Sequence, residues 1–295
     1  MSIVVNATTG IVVSGIDSEM AVRQCGEMIS SGTRLIGAVG PEAAADGIGV
    51  PVFADFGAAI RSGAEVALFF DDPMAAKDAL LAAIAAGIKV AICLTEFVPV
   101  HDALEVRRAA ARAGTLLIGP NSSGVLSAEQ AKAGYFSDAI CLPGNVGILT
   151  KGGSIAYGVL SEMKVAGLGV STIVSTGPDI VKGAGYAELL PLFENDPQTR
   201  FIVLLGEIGG RDEEDAAAVI ASQISKPVIA YTSGKYMAEG QSIGHAGTIV
   251  KNGVGGHAGK VTAFRRAGAI VAEDFKDIVP ALIELARTHG KETAV

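Results

Sequence analysis

The stretch Val146-Gly147-Ile148-Leu149-Thr150-Lys151-Gly152-Gly153-Ser154 passes from a short apolar run through a pair of glycines into a segment with helical spacing. A run of that length is a buried strand, and glycines followed by a capping residue mark a helix start, so the stretch reads as one β–loop–α unit. Glycines at such a junction let backbone N–H groups turn toward a ligand, and the helix start adds roughly half a positive charge. Ser154 is placed to cap the helix and offer its hydroxyl, and a capped helix with no ligand is the plainer alternative.

The same rhythm extends on both sides. Strands are expected at Ile11–Ser14, Leu35–Val39, Val66–Phe70, Lys89–Leu94 and Leu116–Ile118, then at Val170–Ser175, Phe201–Leu205 and Val228–Tyr231. Helices are expected at Met74–Ala86, Ala103–Ala113, Ser154–Val165, Tyr186–Phe193, Glu213–Gln223, His257–Ala267 and Ile278–Arg287, with Gly114 as a C-cap. Strands alternating with helices imply parallel sheets covered on both faces. Residues 119–145 interrupt the alternation with Gly119-Pro120-Asn121-Ser122-Ser123-Gly124 and Leu142-Pro143-Gly144-Asn145. The expected organisation is therefore two consecutive doubly wound α/β domains, residues 1–122 and 146–295, with 123–145 as the linker.

Composition narrows the function. Of 295 residues 49% are hydrophobic and only 18% charged, enough for two buried cores, yet no apolar run reaches membrane-spanning length. Residues 1–15 have neither the basic start nor the cleavage site of a signal peptide, so the cytoplasm is expected. A net charge of −8, no Trp and no basic cluster argue against nucleic acid. Cys25, Cys93 and Cys141 form no redox or metal spacing.

Two motifs carry chemistry: Gly206-Glu207-Ile208-Gly209-Gly210 and Ile243-Gly244-His245-Ala246-Gly247. Small residues around a histidine leave its ring open, and a carboxylate from elsewhere in the chain can fix its tautomer, which makes the ring a nucleophile. A second Gly-His-Ala-Gly at Gly256–Gly259 raises the thought of a two-histidine metal site, but the twelve-residue gap and the lack of nearby cysteine speak against it, so no metal is expected. His257 fits the start of a helix. There is no Gly-x-x-x-x-Gly-Lys-Ser/Thr loop for ATP.

These residues resemble the succinyl-CoA synthetase α-subunit family, within the ADP/GDP-forming acyl-CoA synthetases. The resemblance spans nearly the whole chain and is most specific in Gly119-Pro120-Asn121, Gly153-Ser154 with Tyr157, Asn195-Asp196-Pro197-Gln198-Thr199, Gly206–Gly210 and Gly244–Gly247. It implies a Rossmann-like CoA-binding domain followed by a flavodoxin-like domain in which His245 is phosphorylated and Glu207 orients it. Gly153 and Ser154 would bind the phosphoryl group, and Asn121, Ser122 and Tyr157 the carboxylate substrate. Ser18, Leu94, Thr95 and Glu96 would contact CoA. ATP or GTP with Mg would bind an ATP-grasp β subunit, in an αβ or α2β2 assembly.

The chain departs from the family in three N-terminal loops. Gly15-Ile16-Asp17-Ser18-Glu19-Met20, Gly40-Pro41-Glu42-Ala43-Ala44-Ala45-Asp46 and Phe70-Asp71-Asp72-Pro73 carry acids where the family has open glycines, a lysine and prolines. Like charges would weaken polyphosphate binding. Asn121-Ser122-Ser123-Gly124 and Thr176-Gly177-Pro178-Asp179 also differ, where the acyl substrate would bind. The expected activity is carboxylate–CoA ligation through acyl phosphate. An acyl transfer to a non-CoA acceptor such as an amine, and a non-catalytic binding subunit, are the alternatives.

Overall fold

The computed structural model describes residues 3–40, 47–238, 240, 241, 244, 245 and 247–289. The chain forms two compact units, Ser2–Asp138 with Val174–Ala184, and Ala139–Ile173 with Gly185–Val295. Of the expectations above, Met1, Ser2, Pro41–Asp46, Ile243 and Ala246 lie outside the described residues.

In the first unit the strands are β1 (Ile11–Ser14), β2 (Leu35–Val39), β3 (Val52–Phe53), β4 (Val66–Phe69), β5 (Val90–Cys93) and β6 (Leu116–Ile118). All pair in parallel, in the order β3-β2-β1-β4-β5-β6. That is the Rossmann order, whose reversal lies between β1 and β4. Helices α1 (Glu19–Ser30), α2 (Phe56–Arg61), α3 (Ala76–Ala85) and α4 (Val100–Ala113) connect them. Gly114 ends α4 at φ +73, a conformation a Cβ disfavours. Val12, Phe56, Phe69, Leu80, Ile88 and Val106 meet in one core cluster, each fully buried large side chain contributing about 1.5–3 kcal/mol.

The stretch 123–145, read from the sequence as a linker, is structured. Gly124–Ser127 (β7) and Ala131–Gly134 (β8) pair as an antiparallel hairpin, a 3-10 turn covers Asp138–Ile140, and β9 begins at Pro143.

In the second unit β9 (Pro143–Thr150), β10 (Val170–Ser175), β11 (Phe201–Glu207), β12 (Val228–Ser233) and β13 (Ile270–Ala272) stand in the order β13-β12-β11-β9-β10. Counted along this unit the order is 2-1-3-4-5, the flavodoxin arrangement, with its reversal between β9 and β11. Helices α5 (Gly153–Val165), α6 (Tyr186–Asn195), α7 (Asp212–Gln223), α8 (His257–Arg266) and α9 (Ile278–His289) complete it. Phe193 of α6 packs where a Cβ on Gly147 would stand, 2.3 Å from its ring, so β9 needs glycine there. The buried Tyr186 donates its hydroxyl to the Leu205 carbonyl at 2.8 Å, locking α6 to β11.

Burial pushes the thiols of Cys25 and Cys93 up to about 12, while Cys141 is half-buried. Because the thiolate is the reactive form, iodoacetamide at pH 7.5 is expected to label Cys141 first, and Cys25 and Cys93 only after unfolding. Peptide mass spectrometry reads the order, and early labelling of Cys93 would contradict it.

Candidate active site

Ligands of open α/β sheets bind at the carboxyl ends of strands where the order reverses. In the second unit Thr150 and Leu205 are the last residues paired between β9 and β11, while β11 runs on beside β12 to Glu207. Beyond Thr150 the chain turns through Lys151 and Gly152 into α5, and beyond Leu205 it presents Gly206 and Glu207. The reversal therefore brings one helix N-terminus and one carboxylate to the same edge.

Gly152 is the N-cap of α5, in extended conformation and with no side-chain cap. This corrects the expectation for Ser154, which lies exposed one residue inside the helix and does not cap it. The first N–H groups of α5 and its positive dipole end are thus not closed off by a capping side chain.

His245 meets Glu207 at this edge, with Nδ1 2.7 Å from Oε2. The histidine side chain is 40% exposed and the glutamate 10%, so the ring opens outward from a shielded carboxylate. A carboxylate can only accept, so Nδ1 carries the N–H and the lone pair of the neutral ring lies on Nε2. A Cβ built on Gly152 would stand 3.0 Å from Cε1 and 3.3 Å from Nε2 of His245, which sets that nitrogen against the mouth of α5. Thr248 closes a turn on the His245 carbonyl, with its N–H at 3.2 Å and its hydroxyl at 2.7 Å. Gly209 anchors this segment: its N–H bonds the Gly255 carbonyl at 2.8 Å, and its φ is +89.

Lys151 was not singled out from the sequence. Its ammonium lies 2.9 Å from Glu213 and 3.6 Å from Asp212. Burial works against its charge, but the carboxylates of Glu213, Asp212 and Glu207 outweigh that and hold its pKa above the ordinary lysine value. Tyr157 lies half-buried in α5. His257 starts α8, where burial and then the Lys235 charge lower its pKa. Among the described residues no group of three or more His, Cys, Asp or Glu could hold a metal ion, and no helix is long and apolar enough to cross a membrane.

The first unit places Leu94, Thr95 and Glu96 just beyond β5 and Asn121 and Ser122 beyond β6, while Ser18 follows β1. Thr95 donates its hydroxyl to the Asp71 carbonyl at 2.8 Å, and its own carbonyl accepts the Asn121 N–H at 2.9 Å. Asn121, at φ +58, donates its side-chain amide to Asp179 at 2.8 Å. Ser122 is buried, its hydroxyl committed to the Ser175 carbonyl at 2.6 Å and to the Gly124 N–H at 2.8 Å. Leu94 is buried, Glu96 is exposed, and Ser18 caps α1 by accepting from Ala21 at 3.2 Å.

The acids of this unit are not all displayed. Asp71 turns inward to accept from Ser14 at 2.9 Å, and burial raises its pKa. Asp72 accepts the Met74 N–H at 2.9 Å. Beside the ends of β1 and β2 lies a cavity of about 560 Å³ whose described lining includes Ser14, Gly40, Phe56, Ala82 and one charge of each sign, Arg61 and Asp55. The sequence reading missed Arg61 because its helix is only six residues long and carries little periodic signal.

Residues 143–285 match the family described as succinyl-CoA ligase like flavodoxin domain, and residues 6–97 the CoA binding domain. Over 287 residues the chain is 38% identical to succinate–CoA ligase [ADP-forming] subunit alpha 2 of Archaeoglobus fulgidus, covering 97% of this chain and 100% of that protein. It is 37% identical over 279 residues to the ADP-forming sulfoacetate-CoA ligase subunit SauD of Bilophila wadsworthia, covering 92% and 95%. It is 35% identical over 280 residues to the malate–CoA ligase subunit alpha of Methylorubrum extorquens, covering 93% and 95%. Among solved structures, ATP citrate lyase from Methanothrix soehngenii in complex with citrate and coenzyme A superposes with a TM-score of 0.85 at 21% identity, over 97% of this chain and 51% of that one. The chain spans about half the length of that enzyme, and the likeness is one of fold. With two doubly wound units, a histidine–carboxylate pair at the second reversal and this kinship, the chain belongs to the succinyl-CoA ligase family, among the α subunits of ADP-forming CoA ligases.

Proposed function

We propose that this chain is the α subunit of a nucleoside-diphosphate-forming carboxylate–CoA ligase that works through a phosphohistidine at His245. The observation that carries the reading is the 2.7 Å contact of Nδ1 with Glu207, which leaves the lone pair on Nε2 beside the start of α5. That lone pair attacks the terminal phosphorus of ATP or GTP, and the bond to the leaving nucleoside diphosphate breaks. A carboxylate oxygen of the substrate then takes the phosphoryl group as the N–P bond breaks, giving an acyl phosphate. The CoA thiol attacks the acyl carbon, its proton is lost, and inorganic phosphate leaves. Three moderate steps replace one hard one, because a carboxylate by itself is a poor electrophile.

Each residue has one task in this scheme. Glu207 holds the tautomer and balances positive charge on the ring. The N–H groups at Gly153 and Ser154 receive the phosphoryl group, supported by the helix dipole. In the first unit Asn121 recognises the carboxylate and Ser122 shapes the loop, since its hydroxyl is already engaged. Thr95 and Glu96 meet CoA, with Leu94 supporting them from below and Ser18 holding the first loop. Arg61 supplies a cation in the crevice beside β1 and β2, which the Asp55 carboxylate also lines. In domain terms the CoA-binding module runs through residue 122 and the phosphohistidine module from residue 146. The nucleotide and its Mg sit on an ATP-grasp β subunit, in an αβ or α2β2 assembly in the cytoplasm, and the substrate is a small carboxylic acid.

The match of residues 6–97 to a CoA binding domain favours CoA over an amine as acceptor. Calorimetric titration of CoA into the chain, with and without its partner, tests this: micromolar binding is expected, and no binding in either state moves the acceptor elsewhere. The phosphorylated chain is expected to lose its added mass after brief acid treatment, since the N–P bond is acid-labile. A label that survives acid points instead to a hydroxyl such as Ser154.

A further inference from the structure

We propose that Glu213 and Lys260 are positioning residues for His245, a role that rests on the reading of His245 as the phosphorylated group. Both side chains are 0% exposed, and Lys260 meets Glu213 Oε2 in a direct ion pair. Glu213 Oε1 accepts the backbone N–H of Glu207 at 3.0 Å and the Lys151 ammonium at 2.9 Å. Lys260 also donates to the Gly210 carbonyl at 3.1 Å and to Glu214 at 3.1 Å.

The pair thus grips three points that frame the histidine. Glu207 is the residue whose carboxylate holds Nδ1. Gly210 ends the turn that Gly209 ties to Gly255. Lys151 immediately precedes Gly152, against which the ring lies. Glu213 also packs so closely under the strand end that a Cβ on Gly206 would stand 2.7 Å from its Cγ. Core stability does not require such an arrangement, since apolar side chains of similar volume serve a buried position as well as an ion pair or better. What an apolar pair lacks is an acceptor for the Glu207 N–H and for Lys151, and that acceptor fixes where the Glu207 carboxylate stands.

The test uses the full-length chain labelled with 15N-histidine, with His245→Gln to assign its ring. The ring-nitrogen shifts report the tautomer, and 31P spectra follow phosphorylation by phosphoramidate, a small donor that needs no partner subunit. The wild-type ring is expected to hold its proton on Nδ1. Glu213→Leu with Lys260→Met is expected to stay folded, to mix the two tautomers, and to slow phosphorylation roughly 10- to 100-fold, the scale seen when outer partners of metal-bound histidines are lost. Glu213→Gln with Lys260→Met keeps an acceptor oxygen and is expected to restore both readouts to within about threefold of wild type. A folded Leu/Met protein with wild-type tautomer and rate overturns the proposal. Glu213→Met with Lys260→Leu, which also removes the acceptor, serves if that protein does not fold: an unchanged tautomer and rate in it overturn the proposal equally. Should the wild-type His245 take no phosphate, the ligase reading fails, while the tautomer comparison still decides the positioning role.

Discussion

Alanine at position 245 is expected to abolish phosphate uptake by the chain and to cut turnover with its partner by about 10⁴-fold or more, the scale of losing a nucleophile rather than an aid to one. The imidazole has no substitute at that edge: Glu207 is already an acceptor, and the Ser154 hydroxyl has no base arranged beside it among the contacts of the described residues. The protein itself is expected to stay folded, because the side chain is 40% exposed and its removal leaves no closed cavity. Unchanged thermal melting together with lost phosphorylation, read by intact mass, is the result expected. Residual turnover within tenfold of wild type would remove His245 from the reaction.

Gly209→Ala is expected to damage fold and site together. Position 209 has φ +89, and an added Cβ would stand 1.9 Å from the Gly247 carbonyl oxygen and 2.8 Å from the Thr248 Cα. Both obstacles are backbone, so relief requires moving the turn that presents His245. Left-handed strain costs about 1–3 kcal/mol, and the displaced turn adds to it. Denaturant unfolding should show that loss, and phosphorylation should fall by at least tenfold with it. Gly210→Ala is the control: φ is +60, with nothing within 4 Å of the added atom. It should cost about 1–2 kcal/mol of strain and leave phosphorylation nearly intact. Equal behaviour of the two variants would mean that the contact with Gly247 does not matter.

The strands that form the two sheet centres were legible because apolar runs such as Ile11–Ser14 and Val170–Ser175 are buried along their length. What escaped was structure without that signal. β3 is two residues long, and the β7/β8 hairpin turns through Glu129 at φ +58, with none of the glycine or asparagine that usually marks such a turn. β11 was ended at Leu205 because Gly206 breaks an apolar run, yet the glycine belongs there to admit Glu213. At the site, His245 and Glu207 stood out by motif although 38 positions separate them. Lys151, Glu213 and Lys260 did not, since charged residues near helix starts read as a solvated face until the fold closes over them.

The first compact unit is discontinuous, completed by Val174–Ala184. Gly177 approaches the Pro120 carbonyl, and Gly183 approaches that of Leu117, too closely for any side chain, so this returning segment is packed in and not merely laid on. On the ribosome, residues 2–138 therefore emerge without a piece of their own structure, and must wait while the opening strands of the second unit are synthesised. The order of synthesis and the order of completion differ. A cut at the apparent boundary, made to express the first unit alone, would leave it with an open seam rather than a finished domain.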